Sequence, residues 1–340
     1  MLLKNVLLPA VTIASALASK TVSKDTVNSG AIDLSVGDIT IEPNVYWSIW
    51  NNVASVFTGS LTVAKDAAFY ISSNNNVIAL SVTLLGFLNT ITNDGTIAFN
   101  SLESLTAPTY NLVGLKFTNT KDGYVFMGGD GSVGTPVMSI TAATWENDGF
   151  VTFYQKTKST GIVALGAPLG TIKNNGDICF YNQIYHQTSK ILGQGCIHAQ
   201  AHSTIFLDSP LLAVDTTEII YMEDEDSELV ASTVGAVQTY TVAGFGNNNY
   251  IGLSTTIFDW NYNTISGVLT LYSDPLHLVS QKFLIGKGYV PSNFKIVSHL
   301  FPGLSAPFNN AIQYDDVVPN PGMPAGCQPC KGAPDVPPPL

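Results

Sequence analysis

Hydrophobic and polar positions alternate in a unit that recurs along the first two thirds of the chain. Each unit starts with an asparagine, has a glycine within the next four residues, and then places apolar residues second and fourth after that glycine. The asparagines of the four clearest copies step by 26, 28 and 27 residues and are Asn93, Asn119, Asn147 and Asn174. The apolar pairs that follow them are Ile97/Phe99, Val125/Met127, Val151/Phe153 and Ile178/Phe180. Alternation with a period of two predicts a short strand that is buried on one side.

The near-constant spacing predicts how these strands are arranged. At about 3.3 Å per strand residue, a period near 27 residues makes one coil of three short strands and three turns. Stacked coils form a parallel β-helix, or β-solenoid, in which the four asparagines lie above one another as a hydrogen-bonded ladder. The alternative is a β-sandwich in which Asn-Gly marks ordinary hairpin turns. Sandwich loops vary in length, so the constant step favours the solenoid.

The pattern changes beyond about residue 205. Strand-like runs at 10–16-residue spacing, separated by turn signals, predict a small antiparallel β-domain. From Pro319 onward, eight prolines in 22 residues predict an extended segment that leads out of the folded region. We therefore expect a β-solenoid at 19–215, an antiparallel β-domain at 216–318 and a proline-rich linker or tail at 319–340.

Residues 1–18 have the pattern of a secretory signal peptide. Lys4 precedes an apolar stretch from Val6 to Leu17, and Ala16-Leu17-Ala18 is a small-x-small cleavage pattern. A buried N-terminal helix is disfavoured, because polar residues begin abruptly at Ser19. No other stretch has the roughly 18 uninterrupted apolar residues of a membrane helix. We expect a secreted chain that does not insert directly into a membrane.

Composition excludes several classes of function. The chain has 14 Lys+Arg against 25 Asp+Glu, a formal net charge of −11, and contains no arginine. Nucleic-acid binders need a basic face and favour arginine for phosphate and guanine contacts, so no nucleic-acid partner is expected. Charged residues make up only 11% of the chain, which leaves a surface built from Ser, Thr, Asn and Gly. No glycine-rich phosphate loop or dinucleotide fingerprint is present, and we expect no cofactor.

Candidate catalytic and metal-binding residues are sparse. His198 and His202 are four residues apart, but their surroundings read as a strand, where four residues span about 13 Å. We interpret them as surface histidines and expect no metal site. The acidic loop Glu223–Glu228 lacks the calcium-loop pattern and is interpreted as solvated.

Paired carboxylates and exposed aromatic rings would favour an enzyme or a sugar-binding protein. Asp94, Asp122 and Asp148 fall close together in the repeat, but a repeated turn position is usually occupied for the turn. No nucleophile motif occurs, and we expect no catalytic residue. Three tryptophans are able to stack on sugars, although burial in the core is the preferred interpretation: Trp47, Trp50 and Trp145.

Four cysteines fit an oxidising compartment: Cys179, Cys196, Cys327 and Cys330. Cys327 and Cys330 have redox spacing, but they lie in the proline-rich tail and not at the start of a helix. Cys179 and Cys196 fall on outward positions of neighbouring coils, offset by two residues, which places their Cα atoms about 8 Å apart; a disulfide needs less than about 7 Å. We therefore expect both to bridge to the tail. The alternative pairs Cys179 with Cys196 and Cys327 with Cys330.

Several motifs together resemble the hyphally regulated cell wall protein N-terminal domain family of yeast-like fungi. They are Asn174–Cys179, Gly193–Ile197, Gly244–Gly252, Ser266–Leu271 and Phe283–Tyr289. The resemblance spans nearly the whole chain. It implies an adhesin-type wall protein with a β-helix followed by a domain similar to an α-crystallin sandwich. It also implies a Ser/Thr-rich stalk and a glycolipid anchor after the N-terminal module.

The chain differs from that plan at its end, because it has no stalk, no small-residue anchor site and no hydrophobic tail. The chain is then either a fragment or a secreted form, and we expect a fragment of a longer anchored protein at the fungal cell wall. The main hypothesis is a non-catalytic module that adheres to host or abiotic surfaces, with surface glycans as one class of ligand. The alternatives are a structural wall protein without a specific ligand and a β-helical carbohydrate-active enzyme.

Overall fold

We analysed the chain in a computed structural model, which describes residues 19–339 except 31, 87, 209–210 and 305–307. The predicted signal peptide at 1–18 lies outside the described residues. The described residues are almost wholly strands and turns, with one short 3₁₀ helix at Pro291–Asn293. None of them forms a helix long and apolar enough to cross a membrane.

The described residues form thirty-one strands, which follow one another along the chain. The first sixteen are β1 (Lys20–Val22), β2 (Thr26–Ser29), β3 (Ile32–Val36), β4 (Ile39–Ile41), β5 (Tyr46–Trp50), β6 (Ala54–Thr58), β7 (Leu61–Val63), β8 (Ala68–Ser72), β9 (Ser81–Leu85), β10 (Thr90–Asn93), β11 (Thr96–Ser101), β12 (Thr109–Asn119), β13 (Tyr124–Gly129), β14 (Val137–Asn147), β15 (Phe150–Gln155) and β16 (Ile162–Leu165). The others are β17 (Thr171–Asn174), β18 (Asp177–Tyr181), β19 (Ile184–His186), β20 (Lys190–Gly193), β21 (Cys196–Gln200), β22 (Thr204–Leu207), β23 (Ile219–Met222), β24 (Glu228–Ala231), β25 (Thr239–Ala243), β26 (Tyr250–Leu253), β27 (Asp259–Asn263), β28 (Val268–Tyr272), β29 (Ser280–Leu284), β30 (Phe294–Val297) and β31 (Ala311–Tyr314).

Parallel pairing arranges these strands on three faces, which confirms the β-solenoid. Face 1 contains β1, β4, β7, β10, β17 and β20 with the C-terminal parts of β12 and β14. Face 2 contains β3, β6, β9, β16, β19, β22, β24 and β26 with the N-terminal parts of β12 and β14. Face 3 contains β2, β5, β8, β11, β13, β15, β18, β21, β23 and β25.

The core lies inside the coils and follows directly from the repeat. Register places equivalent residues above one another, so Ile97 aligns with Val125 and Val125 with Val151, all fully buried. Aromatic rings stack in the same way, with the Trp47 and Phe69 ring centroids 5.1 Å apart. Burial of the apolar side of each strand is the main force that stacks the coils.

Parallel pairing continues past residue 215, through β23 and β25 on face 3 and through β24 and β26 on face 2. Antiparallel pairs then join β27 to β28, β28 to β29, β26 to β31 and β30 to β31. Because β29 also pairs in parallel with β25, these strands extend the sheets of the solenoid and cover the edge of its last coil. The division into domains at 215/216 and the α-crystallin-like sandwich stay predictions.

The proline-rich segment does not lead away from the folded region as its composition predicts. Residues Cys327–Pro337, which we name the strap, lie back along the outside of face 3 towards the first coils. Cys327 lies beside β21, whereas the Trp50 indole at the end of β5 donates a hydrogen bond of 2.8 Å to the Pro337 carbonyl. The strap therefore spans most of the parallel coils.

Candidate functional site

The four repeat asparagines form a continuous hydrogen-bonded column at the corner between faces 1 and 3. Asn93 Nδ2 donates to Asn119 Oδ1 at 2.8 Å, Asn119 to Asn147 at 2.7 Å, and Asn147 to Asn174 at 2.8 Å. All four side chains are fully buried. In each step one amide donates and the next accepts, so the column satisfies buried polar groups that would otherwise destabilise the core.

The turn that follows each asparagine explains the glycine of the motif. Asn147 Oδ1 accepts a hydrogen bond of 3.2 Å from the Gly149 N–H, which closes the turn locally. A Cβ at Gly149 would lie 2.2 Å from the Gly123 carbonyl oxygen of the preceding coil. Stacked turns approach too closely for any side chain, so glycine recurs with the asparagine.

Glu218 ends the column, and the repeat gave no signal for it. Where the next coil has Gly193 in place of asparagine, Asn174 Nδ2 donates to Glu218 Oε1 at 2.5 Å, and the Gly195 N–H donates to Oε2 at 3.2 Å. Burial raises the pKa of Glu218 to about 8, although these two hydrogen bonds lower it. The carboxyl group therefore keeps its proton near neutral pH. The shortened 19-residue step from Gly176 to Gly195 is the sequence feature that marks this break.

Two disulfides tie the strap to the middle of face 3. Cys179 bonds to Cys330 with Cα atoms 6.0 Å apart, and Cys196 bonds to Cys327 with Cα atoms 5.2 Å apart. The solenoid cysteines are thus bridged to the tail and not to each other. Cys179 and Cys196 lie on outward positions, but both are fully buried beneath the strap.

His198 lies between the two disulfides, and its interpretation as a surface histidine is wrong. The ring is fully buried; Nε2 lies 2.9 Å from Asp177 Oδ1 and Nδ1 lies 3.0 Å from Glu223 Oε2. Burial alone lowers the pKa of His198, but hydrogen bonds and charge from the two carboxylates outweigh burial, and the pKa is raised. Asp177 also accepts a hydrogen bond of 2.9 Å from the Gln328 N–H of the strap. We name the two disulfides with Asp177, His198 and Glu223 the clasp.

Among the described residues, the groupings of His and Cys close enough to share a metal ion are both in the clasp. One joins His198 to Cys179 and Cys330, and the other joins it to Cys196 and Cys327. All four sulfurs are already in disulfides, so they are not available as thiolate ligands. His202 lies apart, exposed, with its ring 3.6 Å from Asp226.

Beyond the clasp, the strap is held by side chains of face 3. The Tyr124 hydroxyl donates to the Lys331 carbonyl at 2.9 Å and also reaches the Gly332 carbonyl, and the Thr152 hydroxyl donates to Lys331 at 3.1 Å. The Lys331 ammonium lies 4.1 Å from the centre of the Phe150 ring, within cation–π range. This half of the strap carries no covalent tie.

The tryptophans divide between core and surface. Trp47 and Trp145 are buried in the core as preferred from the sequence, whereas Trp50 is half-buried on the outside of face 3 beneath the strap. Their side chains therefore do not line a shared groove. The aspartates of the turns also remain outside the core, with Asp122 and Asp148 exposed beside the strap.

The acidic loop is only partly solvated. Glu225 is exposed, but Glu228 is buried and accepts hydrogen bonds from Lys158 at 3.2 Å and from His299 Nε2 at 2.7 Å. Burial alone raises the pKa of Glu228, but the hydrogen bonds from His299 and Thr204 and the Lys158 charge outweigh burial and lower it. The hydrogen bond from His299 fastens the segment after β30 to face 2.

Comparisons with known proteins give the relatives of this chain. The family model of the hyphally regulated cell wall protein N-terminal region matches residues 10–337. Cell wall protein IFF6 of Candida albicans is 42% identical over 99% of this chain and 31% of its own length. Cell wall protein RBR3 of the same organism is 41% identical over 93% of this chain and 20% of its own length.

A third relative, hyphally regulated cell wall protein 3 of Candida albicans, is 38% identical over 99% of this chain and 27% of its own length. The chain thus spans a third or less of each of these three relatives. The family match nevertheless covers nearly every residue described above, including the asparagine column, the clasp and the strap. The chain belongs to the hyphally regulated cell wall protein family, of which it comprises the N-terminal region.

Proposed function

We propose that this chain is a non-catalytic surface module of a fungal cell wall protein and that it acts in adhesion to host or abiotic surfaces. One observation supports this most directly. The outer side of face 1 carries a row of threonines, one per coil and in register: Thr21, Thr40, Thr62, Thr92 and Thr118. Their hydroxyls make no hydrogen bond to the described part of the chain, so they are available to an external surface.

The row suits many weak contacts made together. Adjacent hydroxyls follow the strand spacing of about 4.8 Å, so a surface with repeated hydrogen-bonding groups meets several of them at once. Simultaneous contacts raise overall avidity far above the affinity of each one. The threonines are uncharged, so this binding does not need a ligand of opposite charge. Surface glycans and oxidised plastics both offer such groups.

The test is binding of the full chain, sparsely immobilised, to a broad glycan array, to intact host cells and to bare plastic. Replacement of Thr62, Thr92 and Thr118 by valine keeps the shape and the strand preference of each side chain but removes three hydroxyls. We expect the bound fraction to fall at least tenfold. The matched control replaces Thr58, Thr83 and Thr141 of face 2 by valine and is expected to bind as the parent does.

Other outcomes favour the alternatives. Binding to none of the three surfaces would favour a structural wall protein without a specific ligand.

A β-helical enzyme would need an accessible carboxyl group with a raised pKa beside a second carboxylate. Asp122 and Asp148 line a cleft of about 630 Å³ beside the strap, but hydrogen bonding and charge from Lys65 lower the pKa of Asp122. Glu218 has a raised pKa but is wholly buried.

A further inference from the structure

The strap has two halves that are held in different ways. Residues Cys327–Cys330 are fixed by the two disulfides and by the hydrogen bond from Gln328 to Asp177. In the part of the chain that the structure describes, side chains of face 3 hold residues 331–337, which add no strand to its sheet. At about 3.1 Å per residue in an extended conformation, residues 331–339 reach about 28 Å from their disulfide anchor.

In the hydrogen bonds of the second half, the solenoid is the donor and the strap is the acceptor. Each hydrogen bond described above between face 3 and residues 331–337 runs from a solenoid side chain to a strap carbonyl: Tyr124 and Thr152 to Lys331, Tyr124 to Gly332, and Trp50 to Pro337. Aromatic rings line the same path. We name Trp50, Tyr70, Tyr124 and Phe150 the aromatic strip.

This arrangement selects for a chemical class of ligand. A proline has no N–H to donate, so a proline-rich segment is recognised through its carbonyl oxygens and through the apolar faces of its rings. Aromatic side chains that carry an indole N–H or a hydroxyl supply both kinds of contact, which is the general mode of polyproline recognition. The aromatic strip has these features over several successive coils.

We propose that the aromatic strip is a binding site for extended proline-containing segments, and that its partner in trans is the strap of a second copy of this chain. The occupant of the strip is already a segment of the same sequence, so a second copy presents the same complementary chemistry. Within the described residues, the disulfide tie of residues 331–339 to the solenoid is at Cys330, and the segment has the reach to cross between neighbours. This inference rests on the proposed surface function, because exchange needs copies displayed close together.

The local concentration of the chain determines whether a strap occupies its own aromatic strip or that of a neighbouring copy. Within one chain the tether keeps the strap at a high effective concentration near its own strip, so isolated molecules keep it in place. Copies packed side by side present neighbouring strips at a comparable concentration. No disulfide needs to open, because the clasp lies on the other side of Lys331. The exchange joins neighbouring copies in the same way as a domain swap.

Mixed-isotope photocrosslinking of the full chain tests the exchange. Val336, which lines a cleft with Tyr46 and Tyr70, is replaced by p-benzoylphenylalanine in both a natural-abundance and a ¹⁵N-labelled preparation. Equal amounts are mixed, irradiated at increasing concentration, digested and analysed by mass spectrometry. We expect cross-links between the strap of one isotope and the strip of the other to increase with concentration. Cross-links within single isotopes at every concentration would overturn the proposal.

Matched variants show whether the strip itself is responsible. Trp50→Phe and Tyr124→Phe are each placed in a chain that ends at Cys330, whose strip is therefore empty, and this chain is mixed with the full chain. Each substitution removes one donor from the empty strip while keeping an aromatic ring, and each is expected to lower the mixed cross-links to that strip about fivefold, which corresponds to about 1 kcal/mol. Tyr181→Phe, on the same face but away from these strap contacts, is the control and should change nothing. Mixed cross-links that persist unchanged in the Trp50 and Tyr124 variants would reflect random collision and would also overturn the proposal.

The adhesion assay separates this proposal from the proposed function. That assay uses sparsely immobilised chain, for which exchange between copies is negligible. Adhesion without mixed cross-links would leave the surface function in place and reject the exchange. Mixed cross-links without adhesion would support association between copies and reject binding to foreign surfaces.

Discussion

The asparagine column and the clasp fasten coils of the same solenoid by opposite means. The column lies inside and uses one residue type four times, each copy bonded to the next coil along the chain. The clasp lies outside and uses five different groups once, joining residues 131 and 151 positions apart. The repeated asparagines thus bond each coil to the next one, whereas the clasp links parts of the chain that are far apart in sequence.

This difference predicts how each region responds to damage. Loss of one member of the column leaves the remaining steps intact, because each coil contacts mainly its neighbours. Loss of both long-range disulfides releases a loop of more than a hundred residues and increases the entropy of the unfolded chain. Four predictions test the comparison, from the largest expected effect on the free energy of unfolding to the smallest.

The largest effect is expected from the clasp. Replacing Cys179, Cys196, Cys327 and Cys330 together by serine should lower the free energy of unfolding by at least about 4–5 kcal/mol, because no disulfide then closes a loop longer than 100 residues. Urea unfolding monitored by tryptophan fluorescence measures the change. An unaltered midpoint would show that the strap is a passive attachment, and hydrogen exchange at residues 331–337 would show whether it had detached.

A smaller effect is expected from the middle of the column. Asn147→Ala removes the hydrogen bonds that Asn147 makes with Asn119, Asn174 and the Gly149 N–H, and we expect a loss of about 3 kcal/mol. Asn175→Ala is the matched control, since its exposed amide donates only to Asp148 and should cost less than about 0.5 kcal/mol. Equal losses in the two variants would contradict a structural role for the column.

The next effect depends on pH and concerns His198. Its pKa is raised in the fold above the ordinary 6.5, so its charged contacts stabilise the protein fully below pH 6.5 and less as the pH rises through the folded value. His198→Gln should therefore lose about 2 kcal/mol at pH 5 and clearly less at pH 9. Thermal unfolding at both pH values measures this difference. A loss of the same size at both values would mean that charge is not involved.

The smallest net effect is expected at the end of the column. The pKa of Glu218 is raised from 4.5 to about 8 in the fold, so stability contributed by its protonated form declines as the pH rises from 4.5 to 8. Glu218→Gln should flatten this slope. Its net change at pH 7 should stay near 1 kcal/mol, because glutamine does not accept both hydrogen bonds of the carboxyl group. Parallel pH profiles for the variant and the parent would contradict the assignment.

The features that recur in every coil were predicted from the sequence. The asparagine and glycine of each coil, such as Asn93 and Gly95, recur together because every stacked turn has the same close approach to the turn before it. Their spacing therefore predicted which residues of neighbouring coils lie above one another. The disulfide partners of Cys179 and Cys196 followed partly from strand geometry, although two arrangements remained open. The short strand after each glycine followed from the apolar residues second and fourth after it.

Contacts made only once had no such signal. Glu218 lies 44 residues from Asn174, outside the repeat, and nothing in its neighbourhood marks it as the acceptor. His198 occupies an outward position and is buried only because the strap folds over it. The strap itself was predicted to be extended, but its docking depends on Trp50, which lies 287 residues from Pro337. Local patterns do not encode partners at that distance.

The strap also fixes the path that mechanical tension takes through the molecule. A pull on Pro337 first breaks its hydrogen bond to Trp50 and peels residues 331–337 from the aromatic strip. The load then reaches Cys330 and passes through the disulfide into Cys179 in β18. Tension therefore enters at the middle of face 3 and bypasses the coils between Cys179 and Cys330. A covalent bond carries the force past these coils, so their hydrogen bonds are spared.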